Sequence, residues 1–186
     1  EIYFFFIIYL KIKKGSYLPL FIGNLNYLPN KEACKYFAKK ILPRLNKLYS
    51  NIEFHIVGEI KNIDRLFFNS IKKTYVHGPV KKVDAIIKSS ICGICNVKIA
   101  TGTQMKMLTY MSYGLPCISS NVAFRNTFFK KQKEILVYKD DNDFIKIIKK
   151  LKEDKNFSKK ISKTSYSGFK KKYGKDKVFA AYNKII

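Results

Sequence analysis

Acidic residues are scarce in this chain: 13 aspartates and glutamates stand against 37 lysines and arginines in 186 residues, a formal net charge of +24. A surface of that sign repels cationic partners and attracts polyanions, whether nucleic acid, anionic lipid headgroups or phosphorylated substrates. Nearly all the excess is lysine in a sequence also rich in Ile, Asn, Phe and Tyr, so compositional bias explains it as well as a binding face does. No arginine-rich or aromatic RNA-binding motif accompanies the charge, which argues against nucleic acid. Cysteine is also sparse. Cys34, Cys92, Cys95 and Cys117 are too few for a disulfide scaffold and suit a reducing compartment. Cys92 and Cys95 have the spacing of metal ligands, but no second such pair or nearby histidine completes a four-ligand set. Residues 91–97 read instead as a buried strand, where side chains three apart point to opposite faces. Long apolar runs are missing too: Ile2 to Leu10 is about half of what a membrane-spanning helix needs. The chain opens at Glu1 with no basic leader before that run, which predicts that it has no signal peptide and is cut from something longer. Internal repeats and low-complexity linkers are absent.

What is present from Leu18 onward is an alternation of short apolar runs with helical patterns, the signature of a parallel sheet wrapped by crossover helices. Strands are predicted over 18–22, 52–57, 73–76, 91–95, 116–119 and 134–137. Cys34, Phe37, Ala38, Ile41 and Leu45 follow helical spacing, with Pro43 expected to kink or restart that helix. Val83, Ile86 and Ile87 mark a shorter helix. Phe144, Ile147, Ile148 and Leu151 mark another behind Asp141 and Asp143, acids that suit a helix N-terminus. The fold class expected is α/β: a single Rossmann-like, doubly wound, mostly parallel sheet flanked by helices. Its span is 18–155, with an unassigned apolar segment over 1–17 and C-terminal helices over 156–186, interrupted at Ser167-Gly168 and Gly174. Glycines punctuate the strand ends at Gly23, Gly58 and Gly78, and Gly102 lies in the loop beyond the fourth strand. Ligands of doubly wound sheets bind outside the carboxyl ends of the strands where the strand order reverses, so these loops are expected to meet.

Residues 100–116 join a small-residue loop to a helix with one inward lysine. A turn around Gly102 lets backbone amides approach a ligand, and the next helical turn adds unpaired N–H groups and the positive end of its dipole. Such a turn suits an anion.

Five pieces occur in order: Phe21-Ile22-Gly23-Asn24-Leu25-Asn26-Tyr27-Leu28-Pro29-Asn30, His55-Ile56-Val57-Gly58, Val76-His77-Gly78-Pro79-Val80, Thr101-Gly102-Thr103-Gln104-Met105-Lys106 and Gly114-Leu115-Pro116. Together they resemble the C-terminal half of the family 4 glycosyltransferases of the GT-B fold, over about Leu18 to Tyr173. That half holds the nucleotide-sugar donor, and the N-terminal half, missing here, holds most of the acceptor site. The resemblance implies that the Gly23-Asn24 turn approaches the donor diphosphate and that His77, Gly78, Pro79 and Val80 flank the nucleobase. It further implies that the amides of Gly102, Thr103 and Gln104 hold the diphosphate with Lys106 behind them, stabilising charge on the leaving group without a metal or other cofactor. Two departures stand out. Thr109 replaces a glutamate that accepts hydrogen bonds from the ribose, a change worth about 1–2 kcal/mol of donor binding. Thr101 replaces the glutamate eight positions earlier, and Asn24 and Asn30 replace a basic pair.

Blander readings stand beside these. Lys106 also reads as a solvated helix lysine. His55 alternates with Ile52, Phe54 and Ile56 and reads as structural; His77 could bond a base or only its own loop. Met105, Met107, Leu108 and Met111 read as helix packing, and Arg44, Arg65 and Arg125 as isolated surface residues. The runs Lys149-Lys150 and Lys170-Lys171-Lys172 read as a solvated face, or as a cationic face toward anionic lipid. The function expected is transfer of a sugar from a nucleoside diphosphate donor to a glycan or lipid-linked acceptor, in the cytoplasm, peripheral at the inner face of the membrane. No residue reads as a catalytic base, so the isolated chain is expected to be inactive. The alternative is a non-catalytic basic module of the same fold that binds anionic membrane or nucleic acid.

Overall fold

The computed structural model describes residues 17–174; the apolar opening segment and everything after Gly174 lie outside the described residues. Six strands form one sheet: β1 (Leu18–Ile22), β2 (Phe54–Val57), β3 (Thr74–Val76), β4 (Ser90–Cys95), β5 (Cys117–Ser119) and β6 (Leu136–Val137). All neighbours pair in parallel in the order β3-β2-β1-β4-β5-β6. The order reverses between β1 and β4, which is the switch point of a doubly wound sheet. The Rossmann-like architecture expected from the alternation is the one found.

Between β1 and β2 run α1 (Leu28–Tyr36), a π-helical turn (Phe37–Ile41) and α2 (Leu42–Leu48). Pro43 lacks an N–H and its ring would strike the carbonyl four residues back. The chain answers by widening the turn, so that the Leu42 amide reaches back to the Phe37 carbonyl, and the helix continues rather than breaking. Further helices are α3 (Asn62–Asn69), α4 (Asp84–Lys88), α5 (Met105–Ser112), α6 (Asn121–Phe124), α7 (Asp141–Glu153) and α8 (Lys155–Tyr173). Strand crossovers are right-handed, so a connection running one way from the switch point and a connection running the other way place α1 and α5 on opposite faces of the sheet.

On the α1 face, Phe37 is fully buried between Phe54 of β2 and Phe144 of α7, with ring centroids 4.4 and 5.7 Å away. Each such ring contributes roughly 2–3 kcal/mol by leaving water. α7 begins as its acids foretold: the Asp140 carboxylate accepts from the Asp143 amide, and the Asp143 carboxylate accepts from the Lys139 amide. On the opposite face, Tyr110 of α5 lies against Gly93 of β4, so closely that a Cβ at Gly93 would sit 2.2 Å from the ring.

Several edges differ from the sequence reading. Ile52 makes only a single bridge to Tyr17 ahead of β2, and β6 is two residues long because Glu134 is held by a turn. α8 runs unbroken through Ser167-Gly168, where two helices were expected within the stretch it covers. Gly168 is a contact point, not a break: a Cβ there would come within 2.6 Å of Glu134, whose carboxylate binds Lys172 of the same helix at 2.9 Å. Burial would raise the Glu134 pKa, but Lys172 and the Lys130 amide outweigh it and hold the carboxyl below its usual range.

Candidate functional site

The loops after β1, β2 and β3 touch. The Gly23 amide donates to the Val57 carbonyl at 2.9 Å and the Gly58 amide to the Gly78 carbonyl at 2.9 Å. A Cβ on Gly58, whose φ is +142°, would fall 1.9 Å from the Gly23 carbonyl oxygen, so no other residue fits this corner. Gly23, Asn24, Gly78, Pro79 and Val80 are therefore brought to one rim at the carboxyl ends of the strands.

The loop after β4 arrives at the same rim beside β1. Gly102 has φ +89° and nothing within 4 Å of where its Cβ would lie, so the turn is open. The Thr103 hydroxyl donates backwards to the Asn126 carbonyl at 2.7 Å, and Asn126 in turn donates to Ala100 at 3.3 Å. These bonds tie the loop from behind. The amides of Gly102, Thr103, Gln104 and Met105 donate to nothing among the described residues, as expected ahead of and within a first helical turn.

Lys106 is buried, with 9% of its surface exposed. Its ammonium donates to Asn30 Oδ1 at 3.0 Å and Gln104 Oε1 at 3.3 Å, and lies 5.2 Å from the centre of the Phe21 ring. No carboxylate pairs with it among the described residues. Buried cations are normally paired with an opposite charge; this one has neutral oxygens and a ring face, in reach of free amides. The solvated-lysine reading is thus corrected. Asn30, noticed in the sequence only as a missing base, is the hinge of the arrangement: its carbonyl holds Lys106 while its amide donates to the Asn24 backbone at 2.9 Å. Asn24 spends its own side chain on Glu59 and on the Asn26 amide, at 2.8 Å each, leaving only backbone for a ligand.

Thr109 lies three residues beyond Lys106 on α5; its hydroxyl donates to the Met105 carbonyl at 3.1 Å, which leaves the oxygen free to accept. Thr101 is exposed in the open turn. Met105 is 71% exposed, against its expected place in the core, whereas Met107, Leu108 and Met111 are buried. Arg65, read from sequence as a plain surface residue, reaches from α3 over the end of β3: it donates to the Val76 carbonyl at 3.3 Å, and its guanidinium would meet a Cβ on Gly78 at 2.8 Å. No spacing in the sequence signals that reach.

The two histidines meet. His55 Nδ1 and His77 Nε2 are 2.8 Å apart with the rings stacked at 4.9 Å. Burial, then the neighbouring His77, pushes the His55 pKa down to about 3, and burial with Arg65 lowers that of His77. No cluster of three or more His, Cys, Asp or Glu side chains among the described residues could hold a metal ion. No helix among them is long and apolar enough to cross a membrane. Burial raises the thiol pKa of Cys92 and Cys95, and both are inert side chains of β4.

Residues 17–154 match the sequence profile of the glycosyl transferases group 1. The chain belongs to that family. No curated protein matches this group 1 chain by sequence. Among solved structures it is similar to a glycosyltransferase from Rickettsia africae (TM-score 0.74, 10% identity, covering 93% of this chain and 48% of that one). It is also similar to a point mutant of TarM from S. aureus, solved in complex with Fondaparinux, alpha-GlcNAc-glycerol and UDP (TM-score 0.73, 12% identity, 92% and 36%). Anabaena HepE in complex with UDP-glucose is a third (TM-score 0.69, 8% identity, 91% and 49%). The group 1 chain thus spans between about a third and a half of the length of these structures.

Proposed function

We propose that this chain is the nucleotide-sugar-binding half of a glycosyltransferase, of the family 4 type, that moves a sugar from a nucleoside diphosphate to a glycan or lipid-linked acceptor. The observation that carries the reading is Lys106: a buried ammonium without a carboxylate partner, beside an open turn of undonated amides at the switch point. A diphosphate seated there completes the cation's shell, and the same groups stabilise the negative charge that builds on it as the glycosidic bond breaks. Thr109 accepts from the ribose, His77 to Val80 flank the base, and Gly23 and Asn24 offer backbone at the cleft. A metal has no role in this scheme.

Large apolar side chains crowd the rim: Tyr27, Leu28, Ile99 and Met105 are all more than half exposed. A cavity of about 490 Å³ beside α1, walled by Leu28, Pro29, Tyr36 and Ile99, adds to them. A second, acceptor-binding half facing the rim would cover this surface. The lysine-rich exterior would hold the enzyme against anionic headgroups at the cytoplasmic side of a membrane, near a lipid-linked acceptor.

UDP and GDP are the first ligands to titrate, UDP because two of the structural neighbours carry it or its glucose conjugate. Calorimetry at low and moderate salt should give a single saturable site that Lys106→Ala abolishes. Binding to any polyanion that salt erases, with no nucleotide site, would instead support a non-catalytic basic module, the reading that the threonines at 101 and 109 favour.

A further inference from the structure

Behind the rim, on the opposite face of β2 from Phe54, lies a polar chain whose inner members, Glu53 and His55, the sugar-transfer reading does not use. Glu53 is 4% exposed and its Oε2 has no hydrogen-bond partner. Facing it at 3.7 Å is Nε2 of His55, a fully buried ring nitrogen that also has no partner. The other nitrogen of His55 meets His77 Nε2 at 2.8 Å. The remaining nitrogen of the half-buried His77 ring, Nδ1, has no partner among the described residues and belongs to the residue that leads into Gly78-Pro79-Val80.

Counting protons decides the direction of this chain. A neutral imidazole carries one N–H, so one ring of the pair donates across the 2.8 Å contact and the other accepts. If His55 donated from Nδ1, its bare Nε2 would face the lone pairs of the Glu53 oxygen, two acceptors opposed in a buried place. If His55 carries its proton on Nε2, that N–H points at the carboxylate, and Nδ1 is free to accept from His77 Nε2–H. The second arrangement leaves no opposed acceptors.

We propose that Glu53, acting through His55, is a positioning residue that fixes His77 as the Nε2–H tautomer, so that His77 presents a bare Nδ1 acceptor beside the 78–80 loop to a donor on the nucleobase. This deepens the donor-site reading and rests on it for the identity of the ligand. It selects a base edge that offers a hydrogen. In UDP the uracil has one such group, the ring N3–H.

Both imidazoles can be assigned without ambiguity, because the chain contains only two histidines. Nitrogen-15 spectra of the unliganded chain at neutral pH should show both rings protonated at Nε2. Glu53→Leu, which removes the acceptor, should lift the bias and give mixed tautomers at His77, and Glu53→Gln should do so only in part because its amide oxygen can still accept from His55, while the fold is retained in both. A His77 found protonated at Nδ1 in the wild type, or one that stays Nε2–H in both variants, overturns the relay. With nucleotide added, UDP should shift the His77 Nδ1 resonance, and N3-methyl-UDP should bind about 3- to 10-fold more weakly than UDP, the loss of one hydrogen bond. Equal affinities overturn the base contact. A chain that binds no UDP at all overturns the donor reading and this contact with it, while the unliganded spectra judge the relay by themselves.

Discussion

Tyr110 occupies the space that a side chain on Gly93 would need. Its ring lies 2.2 Å from the missing Cβ, and its hydroxyl accepts from the Ile22 amide at 2.8 Å while donating to the Ile94 carbonyl at 3.3 Å. A helix side chain thereby bridges β1 and β4 where the two part at the switch point. Burial, ahead of the nearby thiols, drives the phenol pKa well above its ordinary value, so the bridge stays protonated.

Gly93→Ala should therefore destabilise the fold by about 1–3 kcal/mol or more, since neither ring nor strand can retreat. Tyr110→Phe should cost about 1–3 kcal/mol by orphaning the part-buried Ile22 amide. Urea denaturation read by circular dichroism measures both, and a Gly93→Ala chain as stable as the parent would show that the helix is free to move.

Asn30→Asp places a carboxylate where an amide oxygen now lies 3.0 Å from Lys106. The internal ion pair should satisfy the ammonium and weaken UDP binding at least tenfold, while loss of the amide that donates to the Asn24 carbonyl should cost about 1–3 kcal/mol of stability. Calorimetry beside a melting curve separates the two; unchanged affinity would remove Lys106 from the donor site.

Thr109→Glu restores the acid that the resembling family carries. UDP should then bind more tightly by about 1–2 kcal/mol, roughly 5- to 30-fold, through charge-assisted bonds to the ribose. No gain would mean that the ribose does not reach α5.

His55 is held neutral down to about pH 3 in the folded chain, while the unfolded chain protonates near the ordinary histidine value of about 6.5. The unfolded state thus binds the extra proton first. Stability should be flat above about pH 7 and fall on acidification through that window, by up to about 1.4 kcal/mol per pH unit from this group. Denaturation at pH 7 and pH 5 measures the slope, which His55→Gln should reduce.

Fold and site were legible to different degrees. Period-two and period-3.6 patterns are set by what must be buried, so the six strands, α7 and the open turn at Gly102 could be read from residue order. Pro43 gave the position of a disturbance but not its kind, because a widened turn and a break look alike in sequence. Gly168 misled for a related reason: a residue without a side chain serves close packing as well as it serves an ending. The Asn30–Lys106 contact spans 76 positions and the His55–His77 contact joins β2 to the residue just past the end of β3, so each depends on tertiary placement that no local spacing encodes. Met105 shows the limit of helical periodicity, which names a stripe but not where the stripe runs out into solvent.

Asn30 and Lys106 join helices from opposite layers above the sheet, α1 on one side and α5 on the other. An anion captured by that junction would brace both layers at once. Amide hydrogen exchange in the two helices should slow together when nucleotide arrives, making a small ligand at the rim felt on both flanks of the domain.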